Sequence, residues 1–191
     1  MATGIQQPVR PEHQTIGGGL RTLLVSNQYN ELGQVVEKNL HSVAGSPFLQ
    51  SVDYRYNIRG WTTHINNSTL SADANNDDTN DIFGMDLLFN QSETINGVAT
   101  TPLYNGNISA IRWKTNNLKD SPKEKVFGFT YDKLSRLSSN RYAEKSGGTW
   151  SGALDMFKES MTYDRNGNIK TLNRWMNYNG TSTQVDALIY K

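Results

Sequence analysis

The chain has 191 residues, a length that fits one domain or one segment of a larger architecture. Its 19 Lys and Arg residues nearly balance its 18 Asp and Glu residues, so the charge predicts no nucleic-acid partner. Cysteine is absent, which excludes disulfides, thiolate chemistry and cysteine-based zinc sites, and no apolar run is long enough to predict a membrane span.

The composition also predicts the fold class. The chain contains 21 Asn, 16 Gly, 17 Thr and 16 Ser residues. Asn and Gly tolerate the positive φ angles that tight hairpin turns require, and Thr favours strands. Long helical periodicity is missing along the sequence. We therefore expect an all-β protein built as a strip of antiparallel hairpins.

The first part of the chain carries few signals of regular structure. Residues 1–19 contain two Pro residues and end in Gly17-Gly18-Gly19. This stretch is predicted to be a leader or linker. Residues 20–191 are predicted to form a single β-sheet segment.

A short motif occurs five times within residues 20–191, and internal repeats of this kind indicate a repeat architecture. A full copy begins with Tyr, continues with Asn or Asp, and has Gly or Ser four positions after the Tyr. The copies, here called corners one to five, are Tyr29–Val35, Tyr56–Thr62, the shortened Tyr104–Ile108, Tyr131–Leu137 and Tyr163–Ile169. The residues predicted to shape them are Tyr29, Gly33, Tyr56, Gly60, Tyr104, Gly106, Tyr131, Tyr163 and Gly167.

Each corner has the chemistry of a hairpin turn. Apolar and polar residues alternate before the Tyr, as in Val52, Tyr54 and Tyr56, which is typical of a strand. The Asn or Asp can accept backbone N–H bonds, and the Gly can adopt a left-handed conformation. Return strands are predicted over residues 34–41, 61–65, 108–114, 137–142 and 169–177. Polar loops are predicted over residues 66–81, 93–101, 115–123 and 145–152, and Asn105-Gly106 is the strongest short hairpin signal.

The repeated Tyr-Asn/Asp-x-x-Gly-x-Leu/Ile/Val corner resembles the YD repeat of rearrangement-hotspot (Rhs) and teneurin-like proteins. The resemblance covers about Thr22 to Asn177. The stretches Leu49–Ile65, Asp81–Asn90 and Tyr104–Trp113 are similar to Rhs-type surface proteins of the Bacteroidetes kind. This resemblance implies a long antiparallel β-strip, wound into a spiral, that forms a hollow shell around a C-terminal and often toxic domain.

The chain departs from full-length members of that family. It has no Arg-Tyr-Tyr-Asp-Pro-like core signature and no toxin domain after it, so self-cleavage and toxicity are not carried over to its residues. The resemblance therefore implies a structural segment of a secreted or cell-surface protein, whose partners are the rest of the parent chain and an enclosed toxin. The alternative is a cell-surface adhesin, or a carbohydrate-binding strip with glycan partners.

Two apolar stretches are expected to form unpaired edges of this segment, Leu20–Ser26 and Gln184–Tyr190. Both are rich in β-prone residues and carry few charges that would discourage pairing. We expect self-association through these strands, or an assembly that covers them.

One loop has the composition of a calcium site. Oxygen-bearing side chains alternate along it, and the ligand candidates are Asp73, Asn75, Asp77 and Asp81. The sixth position is Asp78 instead of Gly, and the twelfth is Gly84 instead of a bidentate acid. A solvated polar loop without an ion is the alternative interpretation.

Trp150 is the candidate for ligand stacking. It lies in a Gly-rich loop, where an exposed indole could contact a sugar, whereas Trp61, Trp113 and Trp175 lie in predicted strands. An aromatic side chain in a turn also needs no ligand to explain it.

No catalytic motif is found in the sequence. His13, His41 and His64 lack metal-binding spacing, and neither a Gly-x-Ser-x-Gly elbow nor a phosphate-binding Gly loop occurs. We therefore expect a protein that is not an enzyme and needs no cofactor.

Overall fold

A computed structural model of the chain describes residues 10–14, 19–74, 76–78, 80–116, 122–152 and 155–191. The described residues form strands and turns but no helix, which confirms the predicted all-β class. The strands are β1 (Arg10–Gln14), β2 (Thr22–Tyr29), β3 (Val35–Val43), β4 (Gln50–Tyr56), β5 (Thr62–Ile65), β6 (Phe83–Leu88), β7 (Thr94–Ile95), β8 (Val98–Ala99), β9 (Ala110–Thr115), β10 (Lys125–Tyr131), β11 (Leu137–Ser146), β12 (Thr149–Ser151), β13 (Glu159–Tyr163), β14 (Ile169–Tyr178) and β15 (Thr181–Ile189).

Thirteen of these fifteen described strands belong to a large antiparallel sheet, and β7 and β8 pair with each other. The chain divides into two compact units, the first ending at Gly84 and the second spanning Met85–Lys191. In the first unit the strand order is β1-β2-β3-β4-β5. In the second unit, which begins within β6, the order is β6-β9-β10-β11-β13-β14-β15, and β12 pairs with β11. Neighbours in sequence are therefore mostly neighbours in the sheet.

The N-terminal part of the chain contributes a strand. Within residues 1–19, predicted to be a leader or linker, Arg10–Gln14 forms β1 and pairs with β2. Strand β2 also pairs with β3, so it has a partner on each side. The expectation that Leu20–Ser26 includes an open sheet edge is therefore wrong, since Thr22 to Ser26 lie inside the sheet. Strand β15, by contrast, pairs only with β14 among the described strands.

Two predicted loops contain hairpins. In the 93–101 loop, β7 and β8 are joined at Asn96-Gly97, and both residues have the positive φ that a two-residue turn of this kind requires. In the 145–152 loop, β11 continues to Ser146 and pairs with β12. Asn105-Gly106, the strongest hairpin signal, instead lies in an irregular segment before β9. In the strand order β9 lies beside β6, which ends at Leu88, and not beside a strand that ends at Tyr104.

The second unit contains an apolar core. Five buried residues form it, namely Leu88, Ile95, Ala110, Val126 and Ala143. Ile95 is brought there by the β7–β8 hairpin. A Cβ atom on Gly128 would lie 2.6 Å from side-chain atoms of Ile95 and Thr100, so any other residue here would force those side chains to shift.

The first unit buries polar side chains instead. None of its described hydrophobic residues is buried. On one face of β2, β3 and β4, Ser26, Asn39 and Ser51 lie opposite one another in the strand register, and Ser51 and Asp53 are almost completely buried. Buried polar groups are tolerated only when they are hydrogen-bonded or paired with charge. This face therefore depends on specific polar contacts.

Candidate functional site

The four full corners close in the same way. In corner one, Oδ1 of Asn30 accepts hydrogen bonds from the backbone N–H groups of Leu32 (3.0 Å) and Gln34 (2.9 Å). In corner four, Oδ1 of Asp132 accepts from Leu134 and Arg136, both at 2.9 Å. Asn57 and Asp164 make the equivalent pairs of bonds in corners two and five. The Asn or Asp thus organises each turn, as the motif predicts.

The residue four positions after the Tyr has a left-handed backbone in each full corner. The φ angles are 76° at Gly33, 78° at Gly60 and 92° at Gly167, as expected from the sequence. Ser135 occupies the same position in corner four with φ of 63°. Each hairpin also contains a register shift next to its Tyr, and in all four the Tyr pairs with the residue six positions later. The turn geometry is therefore common to all four.

The corner tyrosines connect successive corners. The hydroxyl of Tyr56 donates a 2.8 Å hydrogen bond to the backbone oxygen of Val35, the last residue of corner one. Tyr131 donates to Ile108 at 2.8 Å, and Tyr163 donates to Leu137 at 2.6 Å. Burial raises the pKa of the Tyr56 and Tyr131 hydroxyls, which keeps them protonated as donors. We call these three bonds the tyrosine ladder.

A second side chain extends from corner four to corner five. Arg136 donates through Nε to Asp132 Oδ2 at 2.7 Å and through Nη1 to the backbone oxygen of Asp164 at 3.1 Å. Its guanidinium carbon lies 4.5 Å from the centre of the Tyr163 ring. A cation over an aromatic face adds to the attraction between the two corners.

The shortened corner three differs from the others. Tyr104 is 68% exposed, whereas the other corner tyrosines are half-buried. Oδ1 of Asn105 accepts a backbone hydrogen bond from Asn107, and both Asn side chains donate to Ser135 of corner four. Corner three therefore contacts its neighbour through amide groups.

An acidic cleft lies in the first unit. It has a volume of about 260 Å³ and is lined by Val36, Glu37, Asp53, Tyr54, Ala74 and Asp77. Asp53 and Glu37 are registered partners on β4 and β3. One carboxylate oxygen from each of Asp53, Asp77 and Asp78 lies within 4.8 Å of the other two. We call these three residues the acidic cluster.

Asp53 is the buried member of the acidic cluster. Its residue surface is 6% exposed, and its Oδ2 atom has no hydrogen-bond partner among the described residues. Burial, together with the negative charges of Glu37, Asp77, Asp78 and Asp81, raises the pKa of Asp53 to about 7. None of the ion pairs between described residues includes one of these carboxylates.

The three described residues that sequence spacing grouped as calcium ligands have different partners in the structure. Asp77 belongs to the acidic cluster, but Asp73 pairs with Arg55 at 2.8 Å. Asp81 Oδ1 accepts a 2.9 Å hydrogen bond from Asn66. Asn75 lies outside the described residues. Spacing along the loop did not identify Asp53 and Asp78 as candidate ligands. The one sequence signal for Asp53 is an acidic residue at a strand position that alternates with the apolar residues of β4.

Trp150 packs against the second unit's core instead of standing free in its loop. Its backbone oxygen accepts a hydrogen bond from Asn96, and Lys145 Nζ lies 5.1 Å from the centre of its ring. These contacts give the indole a structural role.

Models of known protein families and curated proteins give no match to the chain. In the described residues, no helix has the length and apolar character needed to cross a membrane.

Proposed function

We propose that the chain is a structural segment of a YD-repeat β-strip. The observation that carries this proposal is the tyrosine ladder, in which each ladder tyrosine bonds to the backbone that ends the preceding corner. Because the repeated motif itself supplies this hydrogen bond, the same contact can link each hairpin to the next, as contacts between neighbouring units do in repeat proteins.

In the parent protein, the strip would wind into a shell that encloses and presents a C-terminal effector or toxin domain, outside the cell or at its surface. This role draws on the resemblance of the corners to Rhs and teneurin-like repeats. A continuous sheet suits such a role because strand pairing leaves few edges open to other chains.

Electron microscopy of the longer parent protein tests the proposed function. The expected result is a hollow particle with wall density that matches this segment. An extended fibre, or separate globular domains without an enclosed space, would refute the shell.

A second candidate function, glycan binding by an adhesin, has one observation in its favour. Aromatic rings form a row on one face of the second unit, with centroid distances of 5.4 Å for Trp113–Phe127, 5.2 Å for Phe127–Tyr142 and 5.0 Å for Tyr142–Phe157. A cleft of about 390 Å³ beside them is also lined by Asn140 and Arg174. Sugars stack on aromatic faces and bond to such polar groups. Binding on a glycan array that is lost in Phe157→Ala would favour this function over a purely structural one.

A further inference from the structure

The loop between β5 and β6 covers a polar face of the first unit. Ser51 and Asp53 point to the same side of β4, since alternate residues of a strand share a face. Ser51 Oγ donates a hydrogen bond to Asp78 Oδ2 of the loop, and Asp53 lies beside Asp77 and Asp78. The described contacts between this loop and β4 include the Ser51–Asp78 hydrogen bond and the Arg55–Asp73 ion pair, both of them polar.

The negative charge of this contact has no counterion among the described residues. Three carboxylates converge, with Glu37 beside them in the cleft, and the ion pairs of the described residues involve none of them. A buried carboxylate is strongly disfavoured unless it is paired or binds a metal. Asp53 Oδ2, buried and without a hydrogen-bond partner in the described part of the chain, therefore indicates a missing cationic partner.

We propose that Asp53, Asp77 and Asp78 bind a calcium ion that fastens the β5–β6 loop to the polar face of the first unit. Calcium takes six to eight oxygen ligands at roughly 2.4 Å, so ligand atoms around one ion lie within about 4.8 Å of each other. The three carboxylate oxygens meet that limit. Ligands from a strand and an irregular loop suit calcium better than magnesium, which requires near-ideal octahedral geometry.

Calcium titration of the chelator-treated chain tests this proposal, with isothermal calorimetry and thermal unfolding as the measurements. One calcium ion per chain should bind and raise the unfolding temperature, because a ligand that binds only the folded state stabilises it. In Asp53→Asn, calcium affinity should fall roughly tenfold or more, since even the loss of a residue that only orients a metal ligand costs about 10–100-fold.

Asp73→Asn is the matched control. Asp73 lies in the same loop but pairs with Arg55, so this variant should keep wild-type calcium affinity even if its stability falls. Asp78→Asn provides a second ligand variant with the same expected loss of affinity. Terbium luminescence excited through Tyr54, which lines the cleft, reports ion binding independently of stability.

Three results would overturn the proposal. They are the absence of calcium binding at millimolar concentration, an unchanged affinity in Asp53→Asn, and an equal loss of affinity in Asp73→Asn. Tighter binding of magnesium than of calcium would refute the choice of ion. Because the acidic cluster shares no residue with the tyrosine ladder, these outcomes leave the proposed structural function to be judged on its own.

Discussion

At the scale of single residues, the corners depend on backbone conformation and on one side-chain acceptor. Gly167 has φ of 92°, and a Cβ atom there would meet nothing nearer than Arg136 Nη1 at 4.0 Å. The position therefore has room for a side chain, and only its backbone angle disfavours one. Ser135 shows that a corner can form with a non-glycine residue in this conformation.

Gly167→Val is expected to destabilise the protein by about 1–3 kcal/mol, because a β-branched residue is strained at positive φ. Chemical denaturation followed by circular dichroism measures the change. The converse variant, Ser135→Gly, should stay within about 1 kcal/mol of the wild type, since relief of strain offsets the greater freedom of the unfolded chain. An unchanged denaturation midpoint for Gly167→Val would contradict the corner geometry.

The acceptor side chains predict a pH dependence that differs between corners. The pKa of Asp132 is lowered by hydrogen bonds from the Arg136 backbone, with further bonds from the Arg136 side chain and Leu134. The pKa of Asp164 is lowered chiefly by the Asn168 side chain. An acid whose pKa is lowered by folding stabilises the folded state above its ordinary pKa of 3.8. That stabilisation is lost as pH falls below this value towards the folded-state pKa.

We therefore expect the unfolding temperature to fall as the pH is lowered from about 5 to about 3. The double variant Asp132→Asn with Asp164→Asn should show a weaker fall, because an amide keeps the acceptor oxygen and does not titrate in this range. Corners one and two already contain Asn30 and Asn57 at this position. The same acid sensitivity in the double variant would show that other groups control it.

At the scale of elements, the β10–β11 and β13–β14 hairpins are joined by few backbone pairs. Strands β11 and β13 share one registered pair, Ser139 with Ser160. Side chains supply further links, namely the Tyr163 hydroxyl on Leu137 and the 2.9 Å bond from the Glu159 N–H to Asn140. The contact between the β10–β11 and β13–β14 hairpins therefore depends on side-chain hydrogen bonds more than a continuous ladder would.

Tyr163→Phe removes one rung of the tyrosine ladder and is expected to cost about 1 kcal/mol of stability, the usual net value of such a bond. Equilibrium denaturation in urea measures it. Tyr178→Phe serves as the control, because this tyrosine is 62% exposed and should change stability by less than about 0.5 kcal/mol. Equal changes in stability for the two substitutions would show that the tyrosine ladder does not join the hairpins.

At the scale of the whole molecule, β15 is a sheet edge that exposes apolar side chains, since it pairs only with β14 among the described strands. Exposure is 49% at Val185, 39% at Leu188 and 77% at Ile189. An apolar edge strand offers unpaired backbone groups to another chain.

The isolated chain is therefore expected to self-associate with rising concentration, and Leu188→Lys should reduce this association in light scattering. Leu24→Lys is the matched control, because β2 already has partners on both sides and should not form the intermolecular contact. A wild-type chain that stays monomeric at high concentration would contradict the role of β15 as an open edge.

The sequence by itself determined the fold class and the four full corners. Those turns are closed by bonds within five residues, as between Asn30 and Gln34, so the local order of side chains is sufficient to specify them. The sequence did not distinguish the Asn96-Gly97 turn, which joins two paired strands, from Asn105-Gly106, which does not. That difference depends on which neighbouring segments find a partner strand.

Only the tertiary structure decided what the loops and polar residues do. Trp150 packs against the core of the second unit because the β7–β8 hairpin lies beside it. Asp53 joined Asp77 and Asp78 because the β5–β6 loop folds back over β4, a contact between residues far apart in the chain. Spacing along the loop could not show this, since burial and the convergence of like charges arise only when separate segments are brought together.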